Sequence, residues 1–313
     1  MIVDLKAAMK LVDDFEELLT QQRISIPQDP ATGADMLPIW LILENLRRGF
    51  AGTPDDLKGE YTAGAAVHDL AAKVLAVRNH ADFPMLLPHL ELLTRGAVHL
   101  NEKPSVDGAD TYNKLIELYW ACLLMVTGVR IELDHPKHSQ GKNPDVIALD
   151  GGRKARAYAF KTIRSPHTQN ILDHIKKGVD QIERSDAAEG IVALNLTPRL
   201  FDAGLWPPKG RYFLDWRDPA SMAMQVLRQG VADVVMDNGL AAVDAIFLGK
   251  KAVSSVLTIG IFPTVATNPI SGRAIVMPIK VAMLVELSPV RPMSTQLHLE
   301  IEAANEVMQL TLR

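Results

Sequence analysis

Three residues carry side chains that could act together: Glu117, Asp145 and Lys161. Glu117 lies in an otherwise apolar segment, where a carboxylate is costly to bury unless a cation, a metal or hydrogen-bond donors satisfy it. Asp145 directly follows Pro144. Lys161 follows a row of small apolar residues, so its amine would be partly desolvated and would need a partner. If these groups converge, two acids and an amine could bind a metal ion, transfer a proton or form a structural ion pair.

The elements that must position these residues can be predicted from hydrophobic periodicity. In chain order they are a helix, three strands, a helix and a strand, at residues 111–126, 129–133, 145–149, 155–163, 167–183 and 191–196. Gly128 ends the first helix, and Asp150-Gly151-Gly152 is typical of a hairpin turn between the second and third strands. Alternation in the third strand places Lys161 on the same face as Ala159.

The other segments predict a helical region before this series and further helices and strands after it. Helices are predicted at 4–19, 35–48, 63–79 and 84–98, followed by a polar boundary segment at 101–110. Later elements are a helix at 219–237, strands at 242–248, 256–263 and 273–287, and a helix at 295–310. We therefore expect an α/β protein with a helical domain at 1–104 and an α/β domain at 105–313. The apolar segment 242–287 could extend the sheet or form a dimer face.

Composition excludes several classes of protein. The chain has 313 residues, 48% of them hydrophobic and 22% charged, which is typical of globular domains rather than of a disordered chain. Its one cysteine, Cys122, excludes a disulfide framework and CxxC-type zinc or thiol sites. The acidic start and the prolines in the longest uncharged run, residues 252–272, predict neither a secretory signal nor a membrane span. We therefore expect a cytoplasmic protein.

Charge is unevenly distributed along the chain. Residues 135–184 contain ten Lys or Arg and five Asp or Glu, a net charge of +5 in a chain whose formal net charge is −4. Such a segment could attract a phosphate backbone, although charge clusters are also ordinary solvated faces. The sequence contains no GxxxxGK[ST], GxGxxG or GxSxG motif, which argues against those nucleotide-binding loops and that nucleophile turn.

Together, Glu117 on the first helix, Pro144-Asp145 at a strand start and Ala159-Phe160-Lys161 in the next strand resemble the PD-(D/E)xK nuclease superfamily, which has the restriction-endonuclease-like fold. The helix that contains residues 171–182, with Gln181 near its end, is similar to the helix that follows the motif in that family. The resemblance covers residues 111–197, under a third of the chain, and implies an αβββαβ core.

The resemblance implies Mg²⁺-dependent hydrolysis of DNA phosphodiesters. Asp145, Glu117 and the backbone carbonyl of Phe160 would hold the metal, Lys161 would orient or deprotonate the attacking water, and Gln181 would help to place it. Five basic residues would contact backbone phosphates: Arg153, Lys154, Arg164, Lys176 and Lys177. The helical region would supply target recognition or dimerisation, so a homodimer is left open.

One position departs from the family pattern. The residue two before the lysine is Asp or Glu in the family and binds metal, whereas here it is Ala159, whose methyl group cannot bind a hard cation. Either Glu117 or Asp180 supplies the missing oxygen, or the protein is a catalytically inactive DNA-binding or assembly module. A third alternative is an unrelated enzyme that uses Lys161 as a base or in a Schiff base.

Each candidate residue also has a purely structural interpretation. Glu117 could lie on an exposed helix edge, Asp145 could be a turn residue, Lys161 could form a structural ion pair, and Gln181 could be an ordinary surface residue of its helix. Convergence of the first three side chains on one small volume is the observation on which the functional interpretation depends.

Overall fold

A computed structural model describes residues 5–26, 38–48, 58–94, 100, 109–137, 141–201, 203–269 and 271–310. Within these ranges the chain is an α/β protein with ten α-helices and six strands. The helices are α1 (Leu5–Gln21), α2 (Pro38–Arg48), α3 (Lys58–Ala76), α4 (Leu87–Leu90), α5 (Ala109–Val126), α6 (Thr168–Arg184), α7 (Thr197–Leu200), α8 (Arg217–Asn238), α9 (Leu240–Phe247) and α10 (Thr295–Gln309). The strands are β1 (Arg130–Leu133), β2 (Val146–Asp150), β3 (Arg153–Thr162), β4 (Glu189–Asn195), β5 (Ala252–Thr267) and β6 (Ala274–Glu286).

The six strands form one mixed sheet in sequential order from β1 to β6. The β1–β2, β2–β3 and β5–β6 pairs are antiparallel, whereas β3, β4 and β5 run parallel to one another. The β2–β3 hairpin turns through Gly151 and Gly152, whose φ angles of 53° and 80° favour glycine at both positions. Because β3, β4 and β5 are parallel, their carboxyl ends meet at one edge of the sheet.

Helices cover both faces of the sheet, and a buried apolar cluster lies beneath each layer. On one face, α1–α5 and α10 pack with Tyr158 and Phe160 of β3. On the other face, α6, α8 and α9 pack with Ala157, Ala159 and Ile163. Side chains of β3 therefore alternate between the two clusters, as expected for a central strand.

Two close contacts fix the helices that flank β3. The ring of Trp120 in α5 is fully buried and lies 5.8 Å from the ring of Tyr158. On the opposite face, Gly178 brings α6 so near to β4 that an added Cβ would lie 2.9 Å from both γ-carbons of Val192. These contacts determine where the polar residues of α5 and α6 reach the edge of the sheet.

The predicted series of helix, three strands, helix and strand is confirmed, with ends that differ by a few residues. The strand predicted at 242–248 is wrong, because this segment is α9. Its buried residues Val243, Ile246 and Phe247 have the spacing of one helix face. The single helix predicted at 84–98 is also wrong: up to residue 94 the segment is α4 between the 3₁₀ turns Phe83–Leu86 and Glu91–Thr94.

The predicted boundary at 101–110 lies almost entirely outside the described residues, so the division into domains at 104/105 stays a prediction. Among the described residues, buried side chains of α1–α4 and of α5 belong to the same apolar cluster. None of the helices in the described ranges is long and apolar enough to cross a membrane.

Candidate functional site

Glu117, Asp145 and Lys161 lie together at the carboxyl end of β3, with Lys114 as a fourth charged member. Lys161 Nζ lies 3.8 Å from Asp145 Oδ2. Lys114 Nζ lies 2.7 Å from Glu117 Oε2 and 3.8 Å from Asp145 Oδ1. The structure thus brings the three sequence-predicted residues into one cluster of two acids and two amines, which we call the acid–lysine cluster.

Asp145 is held by the hydrogen bonds of the sheet just before β2 begins. Its backbone N–H donates to the Tyr158 carbonyl at 3.0 Å, and its own carbonyl accepts from Asp134 N at 2.9 Å. Its side chain accepts a 2.6 Å hydrogen bond from the backbone N–H of Phe160. These hydrogen bonds fix the Asp145 carboxylate beside the end of β3. The residue is buried rather than exposed in a surface turn.

Two oxygen atoms, one from β3 and one from α6, hold the amine of Lys161. Its Nζ donates to the carbonyl of Phe160 at 2.7 Å and to Oε1 of Gln181 on α6. Gln181 in turn donates from Nε2 to the carbonyl of Asn143 at 2.9 Å. Gln181 is therefore a buried bridge between α6, β3 and the segment before Pro144, and its interpretation as a surface residue is wrong.

Glu117 is only 2% exposed, so its interpretation as an exposed helix-edge residue is also wrong. Lys114, one turn earlier on α5, donates to both of its carboxylate oxygens, at 2.9 and 2.7 Å. His89 of α4 approaches the same carboxylate, with Nε2 3.4 Å from Oε2. Burial of this charge is tolerated because a cation and a ring nitrogen face it.

Burial and the neighbouring charges shift the pKa of every member of the cluster. Burial, followed by repulsion from Glu117, raises the pKa of Asp145 to about 7. Burial also raises the pKa of Glu117, against the opposing effect of Lys114. Burial lowers the pKa of Lys161, whereas for Lys114 the attraction of Glu117 and Asp145 outweighs burial and raises the pKa. Paired carboxylates with raised pKa values are the usual signature of a site that binds a cation or transfers protons.

The sequence interpretation missed Lys114, the fourth member of the acid–lysine cluster, and His89, which contacts Glu117 from outside it. The spacing of Lys114 and Glu117, three residues apart on one helix, is a signal that could have identified the first. No local pattern connects His89 with α5, because tertiary packing alone brings the two together. Burial, then Lys114, lowers the pKa of His89 to about 3, so the ring is neutral at physiological pH.

The departure at Ala159 persists in the structure. Its side chain is fully buried between β3 and α6 and provides no oxygen. Of the two acids considered as substitutes, Asp180 is exposed on α6 and Glu117 is the one that joins Asp145. Cys122 of α5 is fully buried in the apolar cluster and is a core residue.

The five basic residues do not form one group. Arg164 lies two residues after the end of β3, and Lys176 and Lys177 are exposed on α6. Arg153 and Lys154 lie at the amino end of β3, about 25 Å along the strand from Lys161 at about 3.3 Å per residue. Lys154 is also paired with Glu132 at 2.9 Å.

Comparisons with protein-family models, with curated proteins and with solved structures find no match.

The donor atoms of the cluster fit Mg²⁺ in kind, because Glu117, Asp145 and the Phe160 carbonyl are hard oxygen ligands. Among the described residues, no group of three or more His, Cys, Asp or Glu side chains is arranged as a metal site. The place between the two carboxylates is taken by the ammonium of Lys114. A divalent cation bound by both acids would have to displace that ammonium.

Proposed function

We propose that this chain is a nuclease-fold protein with a restriction-endonuclease-like core, α5-β1-β2-β3-α6-β4, that hydrolyses DNA phosphodiesters with a divalent metal. The observation that carries the proposal is the meeting of Glu117, Asp145 and Lys161 at the carboxyl end of β3. The three residues come from three segments of the chain, and each has an ionisable side chain that is largely buried. Structural needs alone seldom require two acids and two lysines in one buried cluster.

The roles of the residues follow from their contacts. Glu117, Asp145 and the Phe160 carbonyl would hold Mg²⁺, which when bound supplies charge neutralisation and an activated water. Gln181 and the Phe160 carbonyl keep Nζ of Lys161 in a fixed position. From there the ammonium can donate to a phosphate oxygen, and the neutral amine can accept a proton from water. Burial favours the neutral amine by lowering the pKa of Lys161.

The test is cleavage of supercoiled plasmid DNA in Mg²⁺ or Mn²⁺ by the wild type and by Asp145→Asn and Lys161→Met. We expect both variants to lose at least about 100-fold in rate, because each removes a group that acts on the reacting atoms. Lys10→Met, an exposed lysine of α1, is the matched control and should retain the wild-type rate. Equal cleavage by all four proteins, or none by the wild type in either metal, contradicts the proposal.

A second candidate is a catalytically inactive nuclease-fold protein that binds DNA or assembles with a partner. Two observations favour it: Ala159 replaces an expected acid, and the Lys114 ammonium already occupies the place between Glu117 and Asp145. This candidate predicts DNA binding that weakens with salt and needs no divalent metal. It also predicts that Ala159→Glu creates metal binding that calorimetry detects, whereas an unchanged titration would count against this geometry.

The environment of Lys161 does not favour the third alternative, a Schiff-base enzyme. Its amine lies among oxygen acceptors from Phe160, Gln181 and Asp145. A carbonyl substrate would need an accessible neutral amine in a small apolar pocket, whereas this amine is enclosed by polar contacts.

A further inference from the structure

A polar cavity of about 280 Å³ lies beside the acid–lysine cluster and has no role in the contacts described above. Its polar lining comes from Asn113, Thr162, Arg164, Ser165, Asn170 and His174. At about 30 Å³ per water molecule, the space is far larger than one or two ordered waters require. A cavity of this size and polarity can admit part of a small polar ligand.

The cavity adjoins the cluster along each of the three elements that line it. Asn113 precedes Lys114 on α5, and Thr162 follows Lys161 at the end of β3. His174 lies seven residues, or two helical turns, before Gln181 on the same side of α6. A ligand in the cavity would therefore lie next to whatever contacts Lys161.

Two atoms of the lining are buried without a hydrogen-bond partner among the described residues: Oδ1 of Asn113 and Nδ1 of His174. Buried polar atoms are nearly always paired, and an unpaired one costs about 1–3 kcal/mol. Both atoms lie beneath the cavity surface, and among the described residues no hydrogen bond holds either of them there. A half-turn of the Asn113 amide or of the His174 ring would bring each atom to the cavity, where a partner from outside the chain could complete its hydrogen bonds. The partner must offer groups that pair with an amide oxygen and an imidazole nitrogen.

The charge around the cavity is positive. Arg164 is exposed in its lining, and the segment around it is ordered by Ser165 Oγ, which accepts from Asn170 Nδ2 at 2.9 Å and from His167 N at 3.2 Å. The pKa of His174 is lowered by burial first and then by Lys177 and Lys161, which shows that both cations lie near the ring. Asp173 acts on the ring in the opposite direction and raises its pKa, but less than the two lysines lower it. The net charge near the ring is therefore positive and favours an anionic ligand.

We propose that this cavity binds one nucleotide unit, with its phosphate at Arg164 and its base or sugar at Asn113 and His174. The inference rests on the proposed function, since it names how the substrate strand is held next to the hydrolytic residues. The same chemistry could be offered by a nucleotide within a strand or by a free nucleotide. Thymidine 5′-monophosphate is a suitable probe because its base both donates and accepts hydrogen bonds.

The test is calorimetric titration of the full chain in EDTA with thymidine 5′-monophosphate, a short single-stranded oligothymidylate and inorganic phosphate. We expect the first two to bind and inorganic phosphate to bind at least about ten-fold more weakly, because it lacks the base and sugar contacts. Asn113→Leu and His174→Phe should each weaken nucleotide binding about ten-fold. His298→Phe, which alters a half-exposed histidine on α10, should leave nucleotide binding unchanged.

Thermal unfolding first establishes that each variant folds, and Arg164→Gln, an exposed substitution, gives an independent variant if either of the half-buried ones does not. Binding of the mononucleotide but not of the oligonucleotide supports the cavity and assigns it to free nucleotides; binding of both assigns it to strands. The inference is overturned if neither binds, or if the cavity variants and His298→Phe bind alike. EDTA removes the metal that cleavage would need, so the titration tests the cavity alone. If only the nuclease proposal fails, nucleotide binding is unchanged and plasmid DNA is not hydrolysed.

Discussion

The ammonium of Lys114 donates to both carboxylate oxygens of Glu117, at 2.9 and 2.7 Å, in a part of the protein where the acid is 2% exposed. The same nitrogen lies 3.8 Å from Asp145. One lysine side chain thus faces both of the acids that the proposed metal would need. Lys114 and a divalent cation are therefore expected to compete for the same place.

Replacement of Lys114 tests this competition. Lys114→Met leaves two buried carboxylates without their shared cation, so the metal-free protein should lose about 3 kcal/mol of unfolding free energy. Mn²⁺ should then raise the melting temperature more in the variant than in the wild type, because binding to the folded state stabilises it. Thermal unfolding with and without Mn²⁺ measures both effects.

The matched control for this experiment is Lys176→Met, which removes an exposed lysine paired with Asp173 at 4.0 Å. It should change neither the metal-free stability nor the response to Mn²⁺. If Lys114→Met and the wild type respond to Mn²⁺ equally, the two cations do not share a site.

Asp145 should make the stability of the metal-free protein fall as pH rises. Burial and Glu117 raise its pKa in the folded state from 3.8 to about 7, so between these values the folded protein keeps a proton that the unfolded chain has lost. The stabilisation is fully present below about pH 4 and is lost as the pH rises through 7. Asp145→Asn, which stays neutral, should therefore match the wild type near pH 4 and exceed it by about 1–3 kcal/mol at pH 8.

Denaturant unfolding in EDTA across this pH range measures that difference. Asp180→Asn, which alters an exposed acid of α6, is the control. Its unfolding free energy relative to the wild type should not show the rise expected for Asp145→Asn between pH 4 and pH 8. If Asp145→Asn is less stable than the wild type at pH 8, Asp145 is ionised and well paired in the folded state.

Gln181 is expected to act as a positioning residue through Lys161. Gln181→Leu keeps the volume but removes the oxygen that accepts from Nζ of Lys161 and the amide that donates to Asn143. Supporting contacts of this kind typically contribute about 10–100-fold, so cleavage should fall by that factor. Divalent-metal affinity should stay unchanged, because Gln181 contacts neither Glu117 nor Asp145 in the hydrogen bonds described.

Asp180→Leu is the adjacent control for this prediction, since the side chain of Asp180 is exposed on α6. Its cleavage rate should equal that of the wild type. Loss of metal affinity in Gln181→Leu would instead indicate that the cluster as a whole has been disrupted.

The close packing of α6 on β4 can be tested without any activity. Gly178→Ala would place its Cβ 2.9 Å from both γ-carbons of Val192, which is closer than real contacts allow. We expect a net loss of about 1–3 kcal/mol despite the better helix propensity of alanine. Val192→Ala in the same chain should recover part of the loss, because it removes the two methyl groups, and a double-mutant cycle measures the coupling.

If Gly178→Ala alone is as stable as the wild type, the helix does not pack on the strand at this distance. The coupling also bears on the site, since Gln181 is carried by the same helix one turn later.

Local sequence signals were sufficient for the elements that carry the site. The apolar segment of α5, the two glycines between β2 and β3, and the alternation along β3 each reflect short-range constraints, and the structure confirms all three. They were insufficient for α9, where Leu240–Phe247 is apolar on nearly every side and periodicity does not distinguish helix from strand. They also did not reveal the interruption at 84–94, where Pro84 and Pro88 divide the segment into short turns.

The sequence by itself determined which residue types were available: two acids and a lysine in segments whose burial required partners, and an alanine where an acid was expected. Only the tertiary structure decided that Lys114 is the partner of Glu117, that Gln181 bridges Lys161 to the segment before Pro144, and that His89 faces the cluster. The physical reason is range. Helix periodicity and strand alternation act over a few residues, whereas these contacts join positions 20 to 38 residues apart on separate elements, apart from the local Lys114–Glu117 pair. Which long-range contacts form depends on how the two apolar clusters pack on the sheet.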